Sequence, residues 1–529
     1  MLFYDSRRRR LNGRFETWDQ RGREDSLTLP IAAIKQLQAE ILGDVVLPGE
    51  ANYNTDRQLA NPRFDYYPEA IIYCDGSADV AACLDVIRSF GLEFVVRSGG
   101  HSTGGFSAGP GVVIDLSRLN SMAVDPVALT ATAGPGCNFA KFNKELEFHD
   151  LHTPGGACPD VCQGGYMQGG GYGYTARIFG MHCDQVTEVT VMLADGSVVV
   201  ANETVNSDLF WAVRGGTGNN FGIVLSTNYR VYRGSQFHGF SVVWTLDDVE
   251  QRTVASNALA WLQENFMATG PADIGYQMIW VFEGPDEASR EPKLLLRGLT
   301  HGSEEELRET LAAMLEVPGA QLQYLTGPMV YSQLSEHLMT TPYDIPQFPK
   351  DVSPYPPPED KLSRYVSDPV EPAQWLALLN YYVTTPSPYT IVAFEIYGGG
   401  INAVDALATA FIHRDVSFDC FCDVFWLNEN DRPAMERFLE GWKNLIDPLS
   451  NGHSYQNYPS EIDPSYGSHY WGDATWSLRL VKAKYDPLNH FRFAQSIAPL
   501  VDEVPVGVFV HAALESPVVR VSGGPAASR

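Results

Sequence analysis

Two side chains stand out for chemistry. His101 lies in Arg97-Ser98-Gly99-Gly100-His101-Ser102-Thr103-Gly104-Gly105, and Cys158 in Pro154-Gly155-Gly156-Ala157-Cys158-Pro159-Asp160-Val161. Glycine lets a backbone come close to a bulky ligand. One nucleophilic imidazole and one thiol, each offered from a glycine-lined loop, are what a covalently tethered cofactor requires. The plain alternatives stay open at this point: a hydrogen-bonded loop histidine and an inert buried thiol. A further glycine-rich run extends from Gly164 to Gly173. Bare backbone N–H groups of this kind can cradle a pyrophosphate. Yet there is no G-x-x-x-x-G-K-[ST], and no G-x-G-x-x-G after a first strand with an acid about 20 residues on.

The elements that must position these residues follow from the apolar pattern. From about residue 60 to 230, short apolar runs alternate with helical stretches, which indicates an α/β layer. Ala70–Cys74, Phe94–Arg97 and Val112–Leu116 read as strands, with a helix over Val80–Phe90. Val186–Leu193 and Val198–Val200 flank an Asp-Gly turn and read as a hairpin. A short helix over Asp208–Arg214 and a strand from Ile223 follow. Beyond about residue 235 the character changes to long amphipathic helices (Leu246–Met267, Glu304–Leu315) between aromatic-rich strands such as Ile274–Glu283 and Thr390–Tyr397. A proline-dense loop from Pro342 to Pro358 is expected to shape a substrate opening. The expected division is a cofactor domain over 1–235, a substrate domain over 236–455, and a return to the cofactor domain over 456–529.

Composition bounds the partners. The chain has 529 residues, 44% hydrophobic and 19% charged, and a net charge of -27. That size accommodates two or three domains. The acidic balance argues against nucleic acid and against an anionic membrane surface. Arg7–Arg10 is not followed by an apolar stretch, and no window approaches the ~18 apolar residues of a membrane span. Eight cysteines without zinc-site spacing predict neither a disulfide scaffold nor a metal site. A cytoplasmic protein is expected; its oligomeric state is left open.

The sequence resembles the berberine bridge enzyme-like branch of the vanillyl-alcohol oxidase flavoproteins. The marks are Arg97-Ser98-Gly99-Gly100-His101, Pro154-Gly155-Gly156-Ala157-Cys158-Pro159, Gly169-Gly170-Gly171-Tyr172-Gly173, Asp208-Leu209-Phe210-Trp211-Ala212-Val213-Arg214-Gly215-Gly216, Tyr455-Gln456-Asn457-Tyr458 and Phe491-Arg492-Phe493-Ala494-Gln495-Ser496-Ile497. Singly each is weak; six in this order are specific. The resemblance implies an α+β protein: a PCMH-type FAD-binding domain in two α/β subdomains, plus an inserted substrate domain whose antiparallel sheet is covered by helices. It implies FAD bound covalently at two points, through His101 to the 8α-methyl carbon and through Cys158 to carbon 6. Arg97, Ser98, Gly99, Gly100, Ser102, Gly165, Gly169, Gly170, Gly222 and Asn457 are the expected cofactor-binding residues. Cys162 sits four residues after Cys158, but its flanking residues do not match the family motif.

By the same resemblance Tyr458 is the base that takes a hydroxyl proton, and Tyr172 an active-site tyrosine able to hydrogen-bond its phenolate. Val161 occupies the position that gates oxygen, where a small side chain resembles the oxidases and a bulky one the dehydrogenases. The strand near residues 418–426 departs from the family: plant members carry Lys and Gln where Cys420 and Cys422 align. Alternation puts both thiols on one face, and with Tyr397 they are read as facing the substrate. The base then lacks a cationic neighbour, and Asp419 and Asp423 fall on the opposite, solvated face. Trp280, Tyr331, Tyr397 and Trp426 are candidates for stacking on sugar rings, although strands favour aromatics as core. The expected activity is oxidation of a hydroxyl group of a sugar, oligosaccharide or glycosylated natural product, with dioxygen giving hydrogen peroxide. The alternatives are oxidative cyclisation or alcohol oxidation of a non-sugar secondary metabolite, and a flavin-fold protein that binds without redox turnover.

Overall fold

The computed structural model describes residues 29–348, 356–460, 463–500, 511, 514 and 516–521. The Arg7–Arg10 run and residues 349–355 of the proline-dense stretch lie outside the described residues.

Among the described residues, three sheets of four, five and eight strands and a two-stranded ribbon carry the architecture. The first sheet holds β1 (Asp44–Val46), β2 (Ala70–Tyr73), β3 (Phe94–Arg97) and β4 (Val112–Asp115) in the order β1-β2-β4-β3. Its β2-β4-β3 core is parallel, as the β-α-β alternation predicts, and β1 adds an antiparallel edge. The helix Ser77–Phe90 makes the crossover and stops at Gly91, whose φ of 65° lets the chain turn left-handed. Its inward side chains Val80, Cys83, Leu84 and Ile87 close a core against Ile72 and Ile114.

The second sheet is antiparallel: β5 (Met122–Asp125), β6 (Thr130–Ala133), β8 (Val186–Met192), β9 (Val198–Asn202) and β10 (Ile223–Arg230), ordered β5-β6-β10-β8-β9. The Asp-Gly hairpin joins β8 to β9 as its sequence indicates. The ribbon pairs β7 (Leu151–His152) with β11 (Tyr232–Arg233). The helix Ala474–Tyr485 packs Leu478 and Val481 into the core of the second sheet, and Phe491 reaches the core of the first.

Between them in sequence lies the large antiparallel sheet. It comprises β12 (Gln236–Thr245), β13 (Ile274–Glu283), β14 (Glu291–Thr300), β15 (Gln321–Leu325), β16 (Met329–Val330), β17 (Glu359–Val366), β18 (Ile391–Ile396) and β19 (Phe418–Phe425). The main path runs β15-β12-β14-β13-β18-β19-β17, with β16 beside β12. Helices Val249–Leu262, Pro372–Tyr382 and Arg432–Ile446 cover one face. Each shows its sequence logic. Asp248 caps the first by accepting from the Gln251 N–H. Met435, Phe438, Leu439, Trp442 and Ile446 recur at helical spacing along the inner side of the third. Among the described residues no helix is long and apolar enough to cross a membrane.

Candidate active site

A cavity of about 900 Å³ opens between the glycine loops and the face of the large sheet that lies opposite its helices. On one side lie Ser98–Thr103, the loop around Cys158, and Gly164–Gly165; on the other, inward residues of β17, β18 and β19. Gly99 is required where it stands, since a Cβ there would come within 2.8 Å of the Cys162 sulfur. Gly100 has a φ of 74°, a conformation other residues rarely adopt. His101 Nε2 sits 3.1 Å from Asp160 Oδ2, and that hydrogen bond holds the Asp160 carboxyl below the usual carboxylate range. Cys158 is the one exposed cysteine among the described residues. It faces the cavity walled in by protein, and that poor hydration, with Asp160 nearby, pushes its thiol up. Cys162 points back toward the Gly136 carbonyl, and burial pushes it up to about 12. Val161 lines the cavity half-buried.

Tyr458 is the centre of a charged cluster. Its hydroxyl donates to Glu395 Oε1 at 2.6 Å. Glu395 is buried, and register sets Asp419 directly opposite it across β18 and β19. Burial first, and Asp419 second, push the Glu395 carboxyl well above the usual range. Burial likewise raises Asp419 to about 7. Lys361 Nζ lies 4.2 Å from the Tyr458 ring centre and 3.0 Å from Asp423 Oδ2. Burial opposes its charge, but Asp423 and Glu359 outweigh that and hold the ammonium above its ordinary pKa. Tyr458 itself is pushed well up, by burial and then by Glu395. Tyr455 braces the cluster from below. Its hydroxyl accepts the N–H groups of Gly171 and Tyr172 at 2.9 and 3.1 Å, and the Asn457 amide at 3.1 Å. Ser363 links Tyr455 N to Asp419 Oδ1.

Several sequence expectations change in this light. Cys420 and Cys422 do not face the substrate: they point into the helix-covered core, and neither reaches the cavity. Asp419 and Asp423 are not solvated but are buried on the cavity side of the sheet. The alternation was correct; the faces were exchanged, because both sides of this sheet are covered. The tyrosine therefore does have a cationic neighbour, Lys361, supplied from the adjacent strand rather than from the Cys420 position. Tyr397 is buried against Tyr365 and Tyr172 instead of facing the substrate. The Tyr172 ring lines the cavity, but its hydroxyl donates to the Ile396 carbonyl, so it does not bond the Tyr458 phenol. Trp280, Tyr331 and Trp426 are core.

Of the expected cofactor-binding residues, Ser98, Gly99, Gly100, Ser102, Gly165, Gly222 and Asn457 line the cavity. Arg97 does not; its guanidinium turns behind the loop to Asp115, 2.5 Å away, and ties β3 to β4. Gly169 and Gly170 are packed under Asn457 and Phe411, where a Cβ would clash at 1.9 and 2.6 Å. Glu359, Lys361 and Glu395 were missed. A lone acid in the apolar run Ile391-Val392-Ala393-Phe394-Glu395-Ile396-Tyr397 was the available signal, since Glu is almost never buried without a partner.

A flavin dinucleotide fits these residues. At Gly165 a side chain would project into open cavity, so the backbone there is bare toward a ligand. Thr103 Oγ1 is buried at the cavity wall without a hydrogen-bond partner, which a polar ligand would supply. Family models agree: FAD binding domain matches residues 68–202, and berberine and berberine like matches residues 454–498. The chain is an FAD-linked oxidoreductase, and in both matched regions it is similar to the berberine bridge enzyme-like proteins. An FAD-linked oxidoreductase of Bacillus subtilis, YgaK, is 26% identical over 470 residues, covering 88% of this chain and 98% of its own. A carbohydrate oxidase of Microdochium nivale is 25% identical, covering 86% and 92%. Among solved structures, Physcomitrella patens BBE-like 1 aligns at a TM-score of 0.77 and 26% identity, covering 88% of this flavoprotein and 98% of that chain. A chitooligosaccharide oxidase aligns at 0.78 and 27%, covering 89% and 100%.

Proposed function

We propose that this flavoprotein oxidises a hydroxyl group of a sugar or glycoside to a carbonyl, with dioxygen as acceptor and hydrogen peroxide as product. In this reading residues 1–235 and 456–529 hold FAD, joined covalently to His101 and Cys158, and residues 236–455 receive the substrate. FAD, when bound, supplies a hydride acceptor beside the substrate and an electron donor to dioxygen.

The observation that carries the reading is the 2.6 Å hydrogen bond from Tyr458 to Glu395 at the cavity wall. With its O–H committed to Glu395, the phenol oxygen keeps its lone pairs for a substrate hydroxyl. As it takes that proton, its own can pass to Glu395. Lys361 over the ring favours phenolate character during the transfer. The carbohydrate and chitooligosaccharide oxidases among the relatives support a sugar, and the small Val161 at the cavity supports access for dioxygen.

Two measurements test this. Purified protein denatured in acid is expected to keep its yellow colour; flavin released to the supernatant refutes the double attachment. Under anaerobic conditions a panel of sugars is expected to bleach the flavin, and Tyr458→Phe to slow that bleaching by about 10²–10⁴-fold while leaving the bound-flavin spectrum in place. Bleaching at the wild-type rate removes Tyr458 from the role.

A further inference from the structure

The substrate-side wall of the cavity is acidic. Glu359, Glu395 and Asp423 all line the cavity, and among the described lining residues Lys361 is the one lysine or arginine. That ammonium is already committed, to Asp423 Oδ2 and to the faces of Tyr458 and Phe421. Asp423 is 6% exposed, yet its second oxygen, Oδ1, is buried without a hydrogen-bond partner. Glu395, 2% exposed, likewise leaves Oε2 unpartnered. Glu359 stands two residues from Lys361 and so on the same face of β17. Burial holds its carboxyl up at about 7, with Asp423 and Asp360 adding to the rise.

An unpartnered buried carboxylate oxygen costs free energy that a donor from outside can recover. A neutral hydroxyl would satisfy the hydrogen bond but leave the crowded carboxyls without a counter-charge. A carboxylate or phosphate would bring more negative charge against them. An ammonium supplies several donors together with the missing positive charge. The chain's net charge of -27 also draws cations toward the molecule.

We infer that the cavity selects a substrate bearing a protonated amine, received by Asp423 Oδ1 and Glu359 while its hydroxyl lies at Tyr458; the substrate class is an amino sugar. This rests on the hydroxyl-oxidase reading above, and excludes sugar acids and sugar phosphates.

The test uses the flavin-loaded protein under anaerobic conditions, titrated with glucosamine, glucose and glucuronate. Binding is followed by calorimetry and by perturbation of the flavin spectrum, neither of which needs turnover. Glucosamine is expected to bind at least about tenfold more tightly than glucose, which is about 1.4 kcal/mol, with glucuronate weakest. Asp423→Asn and Glu359→Gln are each expected to bring the glucosamine-to-glucose ratio toward one. The wild-type series stands alone if either variant fails to fold. Equal affinity for glucosamine and glucose, preference for glucuronate, or no binding by any of the three overturns the inference. Bleaching by glucose without an amine preference sinks it while sparing the oxidase reading. Tight glucosamine binding without bleaching does the reverse.

Discussion

At the Tyr458 hydroxyl two demands oppose each other. A phenol of pKa about 10 is a weak base near neutrality, and burial pushes this one further from ionisation. A base that relays its proton avoids the problem, because only the final acceptor must be ionised. Here that acceptor is Glu395, whose carboxyl is held above the usual range by burial and by Asp419. The sign follows. At acid pH Glu395 is protonated and cannot accept; as pH rises through its raised pKa it ionises and the relay opens. Flavin reduction is therefore expected to climb with pH above the ordinary carboxylate range. In Glu395→Gln that limb should vanish and the rate fall by about 10²-fold, as read by stopped-flow absorbance across the neutral range. A Gln variant that keeps the wild-type pH limb would place the final acceptor elsewhere.

Single elements decide which of these groups can meet. In β18, Ile391, Ala393 and Glu395 face the cavity while Val392, Phe394 and Ile396 enter the helix-covered core. A sheet buried on both faces carries apolar residues at nearly every position, so the sequence shows its period but not which face is which. That is why the Cys420–Cys422 face and the Asp419–Asp423 face were exchanged. The large sheet also locks onto the glycine loop. At Gly275 in β13 a Cβ would come within 1.7 Å of the Tyr174 carbonyl oxygen. Gly275→Ala is expected to lower unfolding free energy by about 1–3 kcal/mol, the usual range for overpacking, measured by chemical denaturation. Because Tyr172 and Tyr174 belong to that loop, flavin reduction should slow as well.

The molecule as a whole is held at the seam where the glycine-rich half meets the large sheet. Arg177, 3% exposed, donates to the Ile274 carbonyl at 2.9 Å, to those of Tyr397 and Gly270 at 3.2 and 3.3 Å, and to Pro271. Replacing it with methionine keeps the volume but leaves buried carbonyls without a donor. Arg177→Met is expected to cost about 3 kcal/mol and to lower the thermal midpoint; a change within the scatter of wild-type scans would show that water replaces the guanidinium. The sequence by itself determined the pieces that work through local backbone: the glycine loops offering His101 and Cys158, the Asp-Gly hairpin, the strand–helix–strand run over β2, its helix and β3, and the Tyr455–Tyr458 segment. Each depends on residues within a few positions of one another, so their signal survives in a linear reading. Only the tertiary structure decided the company Tyr458 keeps. Glu395, Lys361, Asp419 and Asp423 come from three strands up to about 60 residues apart and meet through cross-strand register, a spacing that no motif along the chain records.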